Sequence, residues 1–179
     1  RAQRRRLYRA RKLARILTGA VRRPSAAAAG AGTPPPAGAR SIDDTVLDGW
    51  RARFWKALRG NGCWTVLAPS LLDQERAYLP VVDALRPQII HGHDYKMVGV
   101  AVRAARRLRA QGHDVRVVFD SHEFLPGVGG PTLRWRIAHE AYEAAHIRGA
   151  DAVVAVSPEM AARIAEHHRL PVLPSVVMN

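Results

Sequence analysis

From residue 86 onward, short apolar runs alternate with stretches whose apolar positions return every three to four residues. The runs are "PQIIHG" (87–92), "DVRVVFD" (114–120) and "DAVVAVS" (151–157). They read as strands, and the 3.6-residue period between them reads as helix. One helix is expected over 97–111, with Val98, Val102, Ala105 and Leu108 facing inward and Gly112 closing it. A Pro/Gly loop (126–131) leads to a helix over 132–148, with Leu133, Ile137, Ala141, Ala144 and Ala145 on one side and Gly149 as its stop. A further helix runs from Pro158 to His168, and "LPVLPSVVMN" adds a short extended piece. Strand–helix repeats at this spacing predict an α/β fold: a Rossmann-like parallel sheet flanked by helices, with right-handed crossovers.

Upstream the pattern is helical or irregular. Residues 41–60 read as a helix, with Val46, Leu47, Trp50, Phe54 and Leu58 at helical spacing and Gly60-Asn61-Gly62 ending it. "WTVLA" is open to reading as a short strand. Residues 70–86 favour a helix that buries Leu71, Leu72, Tyr78, Leu79, Val82 and Leu85. Residues 24–40 form an Ala/Gly/Pro linker expected to be disordered. Residues 1–23 place Leu7, Ala10, Ala14, Leu17 and Val21 on one stripe among arginines, a basic amphipathic helix. The organisation expected is therefore a helical leader (1–23), a linker (24–40) and a partial Rossmann-like domain (41–179).

Charge refines this division. The chain of 179 residues has a formal charge of +13, but residues 1–40 hold eleven of its 28 basic residues and no acid. The remainder has 17 basic against 15 acidic residues, so the expected globular part is near neutral and nucleic acid is an unfavoured partner. For the leader two readings stand level: a helix lying on an anionic membrane surface, or a solvated helix of a larger protein. Cys63 is the only cysteine, which suits a reducing cytosol. No apolar run approaches the roughly 20 residues of a spanning helix. A chain that starts at Arg and stops at "PSVVMN" reads as a piece of a longer protein.

Candidate chemistry follows from the topology. All strands of an open parallel sheet end on one edge, and ligands bind there. Three of the expected strands end in polar residues: His91-Gly92-His93-Asp94, then Asp120-Ser121-His122-Glu123, then Ser157. Several of these have structural alternatives. Ser157-Pro158-Glu159 is a good helix start, and capping is favoured over substrate contact. Asp94 fits a cap as well as it fits function, Asp120 can anchor its loop, and His91 reads as a packed core histidine. His122 and Glu123 lie beyond the strand where no regular element needs them, so function is the stronger reading for His122.

Other constellations are weaker. His139, Glu143 and His146 share a helix face but lack the second copy that a di-metal site needs, and read as a solvated face. The pair His167-His168 reads as an ordinary helix end. Gly127-Val128-Gly129-Gly130 lacks the Lys-Ser/Thr of a phosphate loop, and no Gly-x-Gly-x-x-Gly joins a strand to a helix. Neither a nucleophile elbow nor a thiol enzyme is supported.

Taken in order, "LRPQIIHGHDYKMVGVA", "VVFDSHEF", "GADAVVAVSPEMAARIAEHH" and "LPVLPSVVMN" resemble the N-terminal domain of GT-B, family 4-like glycosyltransferases, over about residues 85–179. The resemblance implies transfer of a sugar from a nucleotide-sugar donor to a carbohydrate or lipid-linked acceptor, with retention and no obligatory metal or other cofactor. It implies that this half holds the acceptor, while a second domain outside the sequence holds the nucleotide, so that the chain alone does not turn over. His122 would then sit beside the reacting sugar as the catalytic residue. His93, Asp94 and Glu123 would line the acceptor side, with Asp120, Ser121 and Ser157 as further substrate-binding candidates. Asn179 would mark the crossing to the second domain. The expected location is cytoplasmic, with peripheral attachment to the inner membrane face through residues 1–23. A sugar-nucleotide epimerase of the same architecture, and a non-enzymatic membrane or nucleic-acid adaptor using the leader, are the alternatives.

Overall fold

The computed structural model describes residues 42–178, with side chains from residue 46 onward. The expected leader helix (1–23), the linker (24–40) and Asn179 lie outside the described residues. Asp48–Asn179 is one compact unit, and it holds the whole sheet.

Helix α1 covers Ile42–Arg59 and passes through a 3-10 turn at Gly60–Cys63 into the short α2, Trp64–Leu67. "WTVLA" is thus helical rather than extended: Trp64 and Leu67 are buried one turn apart, which an alternating strand would not allow. Helix α3 covers Leu71–Leu85 and ends at Arg86, whose left-handed backbone turns the chain into the sheet. Then β1 (Ile89–His93), α4 (Tyr95–Ala110), β2 (Arg116–Ser121), α5 (Leu133–His146), β3 (Ala152–Ala155), α6 (Pro158–His168) and β4 (Ser175–Val176) alternate as expected. All strand pairs are parallel, in the order β1-β2-β3-β4. Thr132 caps α5 by accepting from the Trp135 amide, and Ser157 caps α6 by accepting from Met160.

A strand order that advances in one direction, joined by right-handed crossovers, places every crossover helix on the same face of the sheet. Burial agrees. Val117, Phe119 and Ala155 face the helices and are fully buried, while the alternate positions Ile89, His91 and His93 of β1 are exposed. Helix α4 fills the space over β1 and β2 with Val98, Val102, Ala105 and Leu108, the stripe read from the sequence. Arg103 of α4 pairs with Glu75 and Arg107 with Asp83, tying α3 to its outer side.

Three expected faces differ. Trp50, Phe54 and Leu58 of α1 are more than half exposed, and the helix instead buries Gly49 and Ala52. On α3, Leu71 is buried, but Tyr78 and Leu85 face solvent. On α5 the buried side is Ala138, His139, Ala141, Tyr142, Glu143 and His146, whereas Ala145 is exposed. Periodicity identifies a helix, but the surface it meets selects the face.

Where α4 and α5 cross, Gly99 lies against the buried Tyr142, whose hydroxyl donates to the Lys96 carbonyl at 3.1 Å. A β-carbon at Gly99 would overlap the Tyr142 phenol. We expect Gly99→Ala to destabilise the domain by about 1–3 kcal/mol in urea unfolding, despite the better helix propensity of alanine. Equal or greater stability would show that Tyr142 can move aside.

Candidate functional site

Residues two apart in a strand point to the same face. His91 and His93 therefore project together from β1, on the face away from the crossover helices. The register of β1 on β2 sets His93 opposite Asp120. One carboxylate oxygen, Asp120 Oδ2, consequently gathers three imidazoles. His93 Nδ1 lies 3.1 Å from it, His122 Nε2 3.3 Å and His91 Nε2 3.6 Å. The first two are hydrogen bonds, and the third is too long to be one. His93 and His122 also lie ring to ring, tilted, with centroids 4.1 Å apart. Only 17% of the Asp120 side chain is exposed, against 57% for His91 and 64% for His93.

Asp94, the residue after β1, has φ 73° and ψ 152°, a region that costs a non-glycine residue about 1–3 kcal/mol. Its amide donates to the Asp120 carbonyl at 3.0 Å and its own carbonyl accepts from Met97 at 2.9 Å. Its side chain makes no capping bond to α4. The first residue of α4, Tyr95, packs edge-on to His139 and Trp135, which stack on each other.

Ser121 is buried beneath the site, its hydroxyl donating to the Glu123 carbonyl at 3.1 Å and tightening the turn that presents His122. Glu123 is exposed. Ser157 caps α6 with its hydroxyl oxygen at the end of β3. The first two strand ends thus converge at Asp120, and no contact joins Ser157 to that cluster among the described residues.

With this geometry in place, comparison with known proteins is decisive. The profile of Glycosyltransferase Family 4 matches residues 69–178, well over half of the chain. The chain belongs to Glycosyltransferase Family 4. The match takes in every strand and the Asp120 cluster, and it begins upstream of α3, earlier than the motifs alone suggest. No curated protein matches this member of the family.

Several expectations need correction. His91 is not a core histidine: it is exposed and turned toward Asp120, because the face it occupies has no described helix over it. His139, Glu143 and His146 do not form a solvated face, since all three are buried. His139 and His146 each donate from Nδ1 to the carbonyl four residues back, at 2.7 Å. Glu143 accepts from His168 Nε2 at 2.8 Å, so His168 is no ordinary helix end but a buried tie between α5 and α6. The second oxygen of Glu143 has no partner among the described residues. The Asp120 cluster itself carried one overlooked signal, the i, i+2 spacing of His91 and His93. The role of Asp120 as its centre required the register.

Two outcomes follow. Asp94→Gly removes the backbone strain, and we expect it to raise the unfolding free energy by about 1 kcal/mol. A loss of stability would mean that the Asp94 side chain supports the fold more than its backbone opposes it. Burial, the largest influence, holds the His139 and His146 imidazoles below the ordinary value of 6.5, against the raising effect of their carbonyl bonds. The unfolded chain then takes up protons first, so their contribution is present above pH 6.5 and is lost as pH falls below it. The urea midpoint should decline from pH 6.5 toward 5, and His146→Gln should flatten that decline. An unchanged slope would count against a neutral buried His146.

Proposed function

We propose that this domain binds the acceptor in transfer of a sugar from a nucleotide-sugar donor with retention of configuration. The observation that carries this reading is the Asp120 carboxylate, with His93 and His122 bonded to one oxygen at the strand-end edge of a family 4 domain. Ligands of open parallel sheets bind at that edge.

The arrangement suits sugar chemistry. Asp120 engages Nε2 of His122, which leaves Nδ1 for the substrate. In the neutral ring Nδ1 then carries the lone pair and accepts from a sugar hydroxyl; in the imidazolium it donates to developing negative charge. We assign His122 the catalytic role beside the reacting sugar. His93, Asp94, Asp120 and Glu123 line the acceptor side, and Ser121 and Ser157 shape the turns around it. The nucleotide is assigned to a domain outside this sequence, so the 179-residue chain alone is expected to show no turnover. No described helix is long and apolar enough to cross a membrane. A cytoplasmic location, with the basic residues of 1–23 meeting an anionic membrane surface, completes the reading.

In the full-length protein, His122→Ala should lower transfer about 100-fold or more with an unchanged circular dichroism spectrum. Undiminished turnover would remove His122 from the mechanism. Product formed without any acceptor would point instead to an epimerase.

A further inference from the structure

We propose that His91, His93 and Asp120 form a binding site for a divalent first-row transition cation of the zinc type. The three residues present ligand atoms that all lie within 4.8 Å of one another. Two ligands on a tetrahedral ion with bonds of about 2.0 Å stand about 3.3 Å apart. The Asp120 oxygen is 3.1 Å from His93 Nδ1 and 3.6 Å from His91 Nε2, on either side of that spacing. The longer distance is informative. At 3.6 Å His91 gains no hydrogen bond from the carboxylate, yet its nitrogen stays close to the oxygen that His93 engages.

The donor set fixes the class of ion. Two imidazoles and one carboxylate suit zinc, cobalt, nickel, copper or ferrous iron, whereas magnesium and calcium require a shell of oxygens. Rigidity is built in: both histidines stand on one strand at i, i+2, and Asp120 is the register neighbour of His93. Ion binding replaces the His93–Asp120 hydrogen bond with bonds from both groups to one cation and draws His91 in beside them. His122 Nε2, 3.3 Å from the ligating oxygen, would orient the carboxylate from outside the coordination sphere. Three protein ligands on a solvent-facing sheet leave a fourth position for water or a substrate hydroxyl. The site requires only these three side chains and stands whether or not the domain serves in sugar transfer.

The test is titration of the metal-free 179-residue chain with zinc sulfate against a chromophoric chelator, followed by cobalt substitution. One zinc per chain and the intense visible bands of four-coordinate cobalt are expected. His91→Ala and Asp120→Asn should each weaken zinc binding at least 100-fold. His167→Ala, at an exposed histidine outside the cluster, should leave it unchanged. Should Asp120→Asn fail to fold, His91→Ala, which alters a side chain that is 57% exposed, decides the matter alone. Absence of stoichiometric zinc overturns the proposal, as does full affinity in His91→Ala. Because the readout is bound metal, failure here is distinct from failure of the transfer assay.

Discussion

The constraint on which this structure depends is the hand of its crossovers combined with a strand order that never reverses. Each right-handed connection from β1 to β2, β2 to β3 and β3 to β4 carries its helix over the same face. One side of the sheet thereby becomes core, where Val117 and Phe119 lie under α4 and Ala155 under α6. The other side, with His91, His93 and Asp120, is left to solvent and chemistry. Alternation along each strand then sorts side chains between these two worlds without further instruction. Ser121 and Asp120 are neighbours in sequence, yet one is buried beneath the turn and the other collects imidazoles.

The element order was legible because apolar period is a local property. Val98, Val102, Ala105 and Leu108 pack as their spacing says, and the three main strands lie within two residues of the apolar runs that predict them. Burial of a helix face was less legible, because it depends on what arrives across from it. In α5 the alanines at 144 and 145 look like the inner side by composition, but the buried side carries Glu143 and His146. That choice is tolerable only because His168, 25 residues later, brings a ring nitrogen to 2.8 Å from the Glu143 carboxylate. Burying a carboxylate without such a partner would cost several kcal/mol. No local pattern announces a pairing between one helix and the far end of the next. For the same reason His139, His146 and His168 changed meaning once packed.

The candidate site divides similarly. That His93, Asp94, Asp120, His122 and Glu123 share an edge follows from strand direction alone. The identity of the central residue does not follow. A shift of β1 by one residue against β2 would move the imidazoles to the opposite face from Asp120. The register His93↔Asp120 is therefore the fact that turns a list of polar strand ends into a cluster. His91 shows the opposite error: an apolar flank suggested a core position, while alternation with His93 already placed the two on one face.

Asp120 also links two features that look separate. Its carboxylate oxygen holds the His93 and His122 rings, while its backbone carbonyl accepts from the amide of Asp94. The strained backbone of Asp94 and the orientation of the imidazoles are thus anchored on one residue, through different atoms. The backbone bond survives any change of side chain at 120, so the Asp94 turn is supported independently of the carboxylate. Beyond that carboxylate, the His93 and His122 rings have each other as a support. Positional precision at this edge consequently rests on the carboxylate for the imidazoles and on the sheet ladder for Asp94. A change of side chain at 120 would therefore release the imidazoles without unmaking the turn that leads from β1 into α4.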